Sequence, residues 1–451
     1  MKLLKFEANG VHKYLNYDFL LNERLTFLIG INGSGKTSVL KLILGLVSPS
    51  YNYLNSIEHT FAKIDCELNG KLLTIKSSKI DESKLQISLQ FDNEEEINDI
   101  IHRTEKTDDM DSEDYHKLNS LHLQNFETLE VIKKIKDLST PFFLGLDRRI
   151  YEGQQIDKIR SSYYTRSRYG KFPLNDHLNR SLIEIQEVIY DYFRLIASEQ
   201  PRINEEFKNN VLLQSFEFIE SREFNILKDT RELAEKRENA FETFKNLKVD
   251  GISESLNKFF DQLNDTLREF NEVQKRRKAN NNDLKPQDID VIQKWFNNQP
   301  QLKKIDNLIS FNKTYQDEIQ KLYEPIEKTR TIINEFLNES RKELLINTKG
   351  ELKIKLKNND TVNLYELSSG EKQIITMLGH LIYFVEKSKD EPGIFIIDEP
   401  EVSLHLAWQE IFVKSIMDAS PNTQFIIATH SPAIINEHSE EICNDLAKMN
   451  L

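Results

Sequence analysis

The run Gly30-Ile31-Asn32-Gly33-Ser34-Gly35-Lys36-Thr37 fits the pattern GxxxxGK[ST] at every fixed position. A loop of this kind turns backbone N–H groups inward around phosphate oxygens, and the helix it opens adds a favourable dipole. Lys36 is expected to reach the β- and γ-phosphates of a nucleotide, and the Thr37 hydroxyl to ligate Mg²⁺. Asn32, Gly33, Ser34, Gly35 and Ser38 complete the expected cradle.

A phosphate-binding loop needs an acid at the end of a buried strand to hold the magnesium shell. Ile394-Phe395-Ile396-Ile397-Asp398-Glu399 supplies four apolar residues followed by two carboxylates. Asp398 is placed to bind Mg²⁺, and Glu399, one position on and aimed differently, suits polarising an attacking water. By itself the segment also reads as a strand ending in a solvated acidic turn. His430, after the apolar run TQFIIAT, is a third candidate, since an imidazole there could hydrogen-bond the γ-phosphate.

A second anion cradle is legible in Leu367-Ser368-Ser369-Gly370-Glu371-Lys372-Gln373, where Ser368 and the Ser369-Gly370 backbone precede a helix. One nucleotide does not need two cradles from the same chain, so the second is expected to serve a neighbouring subunit. The plainer reading is an N-cap and nothing more.

The elements that must carry these residues follow from periodicity. From Lys2 to about Phe91 short apolar or alternating runs predict strands, interrupted by one helix from about Lys36 to Leu46 that ends at Ser48-Pro49. Residues 92–115 carry eleven acids and read as a solvated, mobile loop. PFFLGLD at 141–147 predicts a buried returning strand. From about Pro173 to Lys342 the period becomes helical, with Pro201, Pro286, Pro300 and Pro325 expected to divide the region and Gly251 to break a long helix. Residues 280–283 read as a loop between two arms. Strands return at ELLINT, ELKIKLK, TVNLYEL, GIFIID and TQFIIAT, with helices near Ser369–Val385 and Leu406–Met417. This order predicts one head built from residues 1–172 and 343–451, split by a helical insertion at 173–342 that forms an arm or bundle.

Composition removes other classes. The 451 residues are 39% hydrophobic with a formal net charge of -13, which lowers the expectation of a nucleic-acid binder. No run approaches 18 apolar residues, and the N-terminus breaks its apolar run with Lys5, Glu7 and Asn9, so neither a membrane span nor a secretory signal is expected. The two cysteines lack metal-ligand spacing. The cytoplasm is the expected location.

The order GxxxxGKT, LSSGEKQ, IFIIDEP, EVSLH and ATHSP resembles the head of ABC-class ATPases, and within them the SMC, RecF and OLD-like branch whose head is split by a helical insertion. The likeness covers about residues 1–150 and 343–436. It implies an α/β fold with a P-loop NTPase head of ABC type, combining a mixed sheet with an antiparallel β-subdomain. Lys36 and Thr37 would then bind ATP and Mg²⁺. Ser368, Ser369 and Gly370 would complete a partner's site in a homodimer or higher homo-oligomer. Asp398 and Glu399 would be the Walker B pair, and His430 the switch histidine. Ser403, Leu404 and His405 fall where such proteins have the segment crossing between sites. The magnesium-coupling glutamine of the family has no clear counterpart among Gln86, Gln90, Gln124 and Gln154, and GLDRR (Gly145 to Arg149) occupies roughly that region. Too few residues follow His430 for the Toprim nuclease domain of OLD-family nucleases.

The chain also resembles the ATPase subunits of PARIS and Septu anti-phage systems, which implies a separate Toprim- or HNH-type nuclease as effector. A RecF- or SMC-like ATPase clamping DNA is the alternative, and a transporter nucleotide-binding subunit a third reading. The segment Arg148–Lys171 interleaves seven basic residues with four tyrosines. It could grip phosphates and stack bases, dock an acidic protein, or fold over the nucleotide. Lys275-Arg276-Arg277-Lys278 reads as a solvated helix end or a DNA contact.

Overall fold

A computed structural model describes residues 1–92, 94–104, 111–138, 141–145, 150–152, 177–217, 230–246, 251–279, 285–388, 393–436, 438 and 440–450. The chain opens with the hairpin β1 (Lys2–Val11) and β2 (Leu15–Leu20), then β3 (Leu25–Ile29) and helices α1 (Lys36–Val47) and α2 (Tyr51–Ser56). Next come β4 (Phe61–Leu68), β5 (Lys71–Asp81), β6 (Lys84–Phe91), β7 (Ile97–His102), α3 (Ser112–Thr128), α4 (Glu130–Lys136), β8 (Phe142–Leu144) and β9 (Ile150–Glu152). Five helices follow: α5 (His177–Phe216), α6 (Thr230–Asn246), α7 (Ile252–Ala279), α8 (Pro286–Asn297) and α9 (Gln299–Leu337). The chain then returns through β10 (Glu343–Ile346), β11 (Leu352–Lys355), β12 (Thr361–Val362), α10 (Ser369–Ser388), β13 (Ile394–Asp398), α11 (Leu406–Ala419), β14 (Gln424–Ala428), α12 (Pro432–Ile435) and β15 (Cys443–Asp445).

Among the described residues the strands form three sheets. One is antiparallel, in the order β2-β1-β4-β5-β6-β7, and one is a small antiparallel sheet, β10-β11-β12. The third runs β15-β3-β14-β13-β8-β9, parallel throughout except for the β8–β9 pair. The central parallel strands β3, β13 and β14 are near-continuous apolar runs because both faces are covered: every residue of β13 and β14 is buried. The antiparallel strands alternate instead, as in β2, where Leu15, Tyr17 and Phe19 are buried between exposed neighbours. Helix α1 touches β4 and β5 of one sheet and β13 and β14 of the other, and its Val39, Leu40, Leu42, Ile43 and Leu46 are fully buried in the joint core. The α/β class, with its mixed sheet, antiparallel subdomain and helical insertion, is the one the sequence leads to.

By contact density the chain forms two compact units. One comprises Met1–Tyr192 and Pro325–Leu451, the other Phe193–Glu324. The second is helical, with Leu256, Phe260, Leu263, Leu267, Phe270 and Trp295 in its own apolar core. Phe270 stacks on Trp295 at 5.6 Å between ring centroids. Gly251, at φ 75, separates α6 from α7 as expected.

Two expectations need correction. Part of 92–115 is not loop: β7 pairs along β6, and α3 begins with Asp111 capping Asp114 N–H. The alternation Ile97, Ile101 against β6 outweighs the local acidity. Of the four prolines, Pro201 and Pro325 lie inside α5 and α9 rather than dividing them. Pro286 stands in the first turn of α8, and Pro300 in that of α9, where a missing N–H costs nothing. The basic segment Arg148–Lys171 lies, apart from β9, outside the described residues, as do residues 280–283. Among the described residues no helix is long and apolar enough to cross a membrane.

Candidate functional site

The three chemical groups come together because their strands are neighbours. β3, β14 and β13 lie side by side and parallel, with Leu28 paired to Ala428 and Asp398 paired to Ala428. Residues leaving the same end of adjacent parallel strands must meet, and a ligand site at that edge is the general rule for such sheets. Lys36 follows β3, Glu399 follows β13 and His430 follows β14.

The loop after β3 is shaped by one glycine above all. Gly35 caps α1 at φ 81, ψ 14, and a Cβ there would run into the Tyr17 hydroxyl. That hydroxyl donates to the Ser34 carbonyl at 2.8 Å, so β2 holds the loop from behind. Burial pushes the Tyr17 phenol above its ordinary pKa, which keeps it a donor. Asn32 and Gly33 are exposed, while Ser34 is buried with its hydroxyl oxygen unpartnered. Ser38, in the first turn of α1, meets His12 Nε2 at 2.8 Å.

Lys36 is 5% exposed. Its ammonium donates to the Gly30 carbonyl at 3.0 Å and to His430 Nε2 at 2.6 Å. Burial lowers its pKa, against the opposing pull of Glu399, Asp398 and Glu401. His430 Nε2 also lies 3.4 Å from Glu399 Oε1. Glu399 takes a left-handed backbone, φ 48 and ψ 61, unusual for a residue with a side chain, and its N–H donates to the Ala428 carbonyl at 2.9 Å.

Asp398 is 3% exposed, and both of its carboxylate oxygens are buried without a hydrogen bond. Burial pushes its pKa up to about 6. The Thr37 hydroxyl nearby, outside hydrogen-bond geometry, acts the other way. A buried carboxylate with two orphaned oxygens beside a threonine hydroxyl is a hard, oxygen-only donor set of the kind Mg²⁺ takes. The residues present therefore fit the ion, and the glycine-shaped loop beside them fits phosphate.

The second cradle is built on a different element. Ser368 precedes α10, and Ser368 and Ser369 are exposed while Gly370 is buried. The Ser368 N–H donates to the Glu371 carboxylate at 2.9 Å and the Glu371 N–H donates back to the Ser368 hydroxyl at 3.4 Å, a capping box, and the hydroxyl also donates to the carboxylate at 2.9 Å. Glu371 itself is a hub: Lys342 Nζ donates to both its oxygens at 2.8 and 2.9 Å, and Ser340 donates at 3.0 Å. Glu371, although burial works against it, is held below the ordinary carboxylate range by Lys342 and Ser368. Of the crossing segment, residues Pro400–Ser403 form a 3-10 turn, Leu404 is buried, and His405 opens α11. Gln86 and Gln90 lie on β6 and Gln124 on α3; none hydrogen-bonds a residue named above. Gln154 lies outside the described residues.

Three contributors escaped the sequence reading. Tyr17, Lys342 and Glu401 act by reaching across the fold, and their only local signal was a polar side chain beside a motif. Glu401 accepts hydrogen bonds from Thr429, His430 and Ser431.

Comparison with known proteins places the chain. Residues 25–436 match a family model described as "AAA domain, putative AbiEii toxin, Type IV TA system". The chain is 33% identical over 101 residues to "Retron Vc95 probable ATPase" of Vibrio cholerae serotype O1 biovar El Tor, covering 20% of each chain. It is 28% identical over 102 residues to "Retron Ec83 probable ATPase" of Escherichia coli, 21% of this chain and 17% of that one. It is 30% identical over 118 residues to "Endonuclease GajA" of Bacillus cereus (strain VD045), 24% and 20% of the two chains. Each match thus spans a fifth or less of the relative. Among solved structures, the Smc head domain of Pyrococcus furiosus aligns at 13% identity over 96% of this chain and 91% of that one, with a TM-score of 0.35. The SMC head domain of Thermotoga maritima aligns at 11% over 96% and 91%, with a TM-score of 0.37. On the family match, which spans more than nine-tenths of its length, this chain belongs to that AAA domain family.

Proposed function

We propose that the protein is a Mg²⁺-dependent ATPase whose two copies close on shared nucleotide and thereby control a separate effector. The observation that carries this is the convergence at Lys36 Nζ of the Gly30 carbonyl and His430, with Glu399 and the orphaned Asp398 carboxylate beside them. In this reading each residue has a role in phosphoryl transfer to water. The loop N–H groups and Lys36 bind the triphosphate, and Thr37 and Asp398 hold Mg²⁺. When bound, that ion neutralises charge on the β- and γ-oxygens. Glu399 orients the attacking water and takes its proton. His430 donates to the γ-phosphate, a role for which its Lys36-facing Nε2 must exchange partners.

Dimerisation is supported by the exposure of the second cradle. Ser368 and Ser369 point an exposed helix start at solvent, available to the γ-phosphate on a second copy. Attraction of one triphosphate to both cradles favours the closed pair, and hydrolysis removes it. Glu371 ties this start to Ser340 and Lys342, just before β10. The retron names of two relatives and the nuclease name of a third support a place in prokaryotic anti-phage defence; the effector in this reading is a separate Toprim- or HNH-type nuclease.

Light scattering on Glu399→Gln tests the reading. Mg·ATP should take it from 53.0 kDa to about twice that mass, and Lys36→Ala should abolish the shift. A Glu399→Gln protein that binds ATP and stays monomeric overturns the dimer. Co-purification of a nuclease from native cells supports the effector; salt-sensitive DNA-stimulated turnover without one supports a DNA clamp instead.

A further inference from the structure

His430 has to be held by something other than the sheet. Thr429 N–H still donates to the Leu28 carbonyl of β3, but the next two N–H groups lie past the end of β14. Both turn to a single atom. Glu401 Oε1 accepts from His430 N at 2.6 Å, from Ser431 N at 3.1 Å and from the Thr429 hydroxyl at 2.8 Å. Ser431 N–H is shared with Thr429 Oγ1 at 3.0 Å, which closes the ring. Three donors on one carboxylate oxygen, two of them consecutive peptide groups, fix a backbone more tightly than one bond could.

Glu401 reaches this place because the chain reverses at Glu399. The left-handed Glu399 and the Pro400–Ser403 turn send the side chain back toward the exit of β14. The exits of β13 and β14 are thus stitched twice, by Glu399 N–H to the Ala428 carbonyl and by Glu401 to residues 429–431. The imidazole they fix stands 2.6 Å from Lys36 and 3.4 Å from Glu399. A further strand of the network runs from the Ser431 hydroxyl to Gln409 at 2.5 Å and from Gln409 to the Leu404 carbonyl at 2.9 Å.

We propose that Glu401 is a positioning residue for ATP hydrolysis, its carboxylate holding the Thr429–Ser431 backbone so that His430 is aimed at Lys36 and Glu399. Glu401 acts through His430, whose backbone it holds. Because it sits on the exposed turn that also presents Val402, displacement of that turn would be felt at the imidazole. The kinetic consequence rests on the ATPase reading above; the placement of His430 does not.

The test therefore has two arms on the full chain. In histidine-selective ¹³C spectra, the His430 ring signal, assigned by its loss in His430→Asn, should move or broaden in Glu401→Ala. It should return close to its original position in Glu401→Gln, whose amide oxygen still accepts. In steady-state assays Glu401→Ala should lower kcat by about 30- to 100-fold with KM for ATP within about threefold, and Gln should recover most of it. Should Glu401→Ala fail to fold, Glu401→Asp, one methylene short of the three donors, takes its place in both arms. An unmoved His430 signal overturns the proposal, as does a Gln variant no better than Ala, or a loss carried equally by KM. If the unaltered protein hydrolyses no ATP, the ATPase reading falls, and the His430 signal alone decides the role of Glu401.

Discussion

Lys36 and His430, separated by 394 positions in the chain, meet through Nζ and Nε2 at 2.6 Å. The contact exists because α1 starts beside the exit of β14, two residues before His430, and it pairs a buried cation with an imidazole. Lys36 is expensive to bury, which is why its pKa is lowered. Lys36→Met should weaken ATP binding by at least about 100-fold, roughly 2.7 kcal/mol, while leaving the melting temperature unchanged or raised. Calorimetric titration and a thermal melt check the two halves separately.

Asp398 carries a penalty of the same kind with the opposite charge. Its folded pKa of about 6 stands above the ordinary 3.8, so the ionised form is disfavoured by folding at neutral pH and the penalty fades as pH falls below 6. Asp398→Asn should therefore be the more stable protein at pH 7.5 in chelator, by on the order of 2 kcal/mol, with the gap shrinking toward pH 5. It should also lose Mg²⁺-dependent turnover. Denaturant titrations at the two pH values measure the gap; equal stability at both would contradict it.

Glu371 behaves in the reverse sense. Its pKa is lowered in the fold, so the stabilisation from Lys342 is fully present above the ordinary carboxylate range and is lost as pH drops through the folded value. Lys342→Met strands a carboxylate whose side chain is 4% exposed, and should cost about 3 kcal/mol at pH 7. Adding Glu371→Gln should return part of the loss, and the double-mutant cycle reads the coupling directly.

At Gly35 two penalties coincide. An alanine there must hold φ 81 and push its Cβ against the Tyr17 hydroxyl. Gly35→Ala should destabilise by about 2 kcal/mol and weaken nucleotide binding. Combining it with Tyr17→Phe, which withdraws the oxygen but also the bond to Ser34, should recover stability in part without restoring affinity. Melting curves and nucleotide titration distinguish these.

The legible parts of this molecule were those where chemistry follows a buried strand in the same few residues. Asp398 closes an apolar run, while Lys36 and His430 follow theirs within a short loop, and apolar runs covered on both faces declare themselves. The illegible parts depend on partners distant in sequence. β7 was hidden because its acids are local and its apolar contacts with β6 are not. Pro201 and Pro325 look like breakers, but Ile196, Ile203, Ile326 and Ile333 are buried around them, and packing outweighs a cost of about 3 kcal/mol. Glu401 opens the quoted EVSLH run, but its partners Thr429, His430 and Ser431 lie 28 to 30 positions away, so the run did not disclose its role.

The sheet order has a last consequence, for the birth of the protein. β3, which leads into the phosphate loop, has as its two neighbours β14 and β15, and Gln424 bonds both Leu3 and Asn22. Leu28 must therefore wait for Ala428 to leave the ribosome, about 20 to 80 s at ordinary translation speeds. Through that interval an apolar strand made early stands without its partners, a natural client for a chaperone. A nascent chain interrupted short of β14 would hold every residue of the loop and no means of keeping it in place.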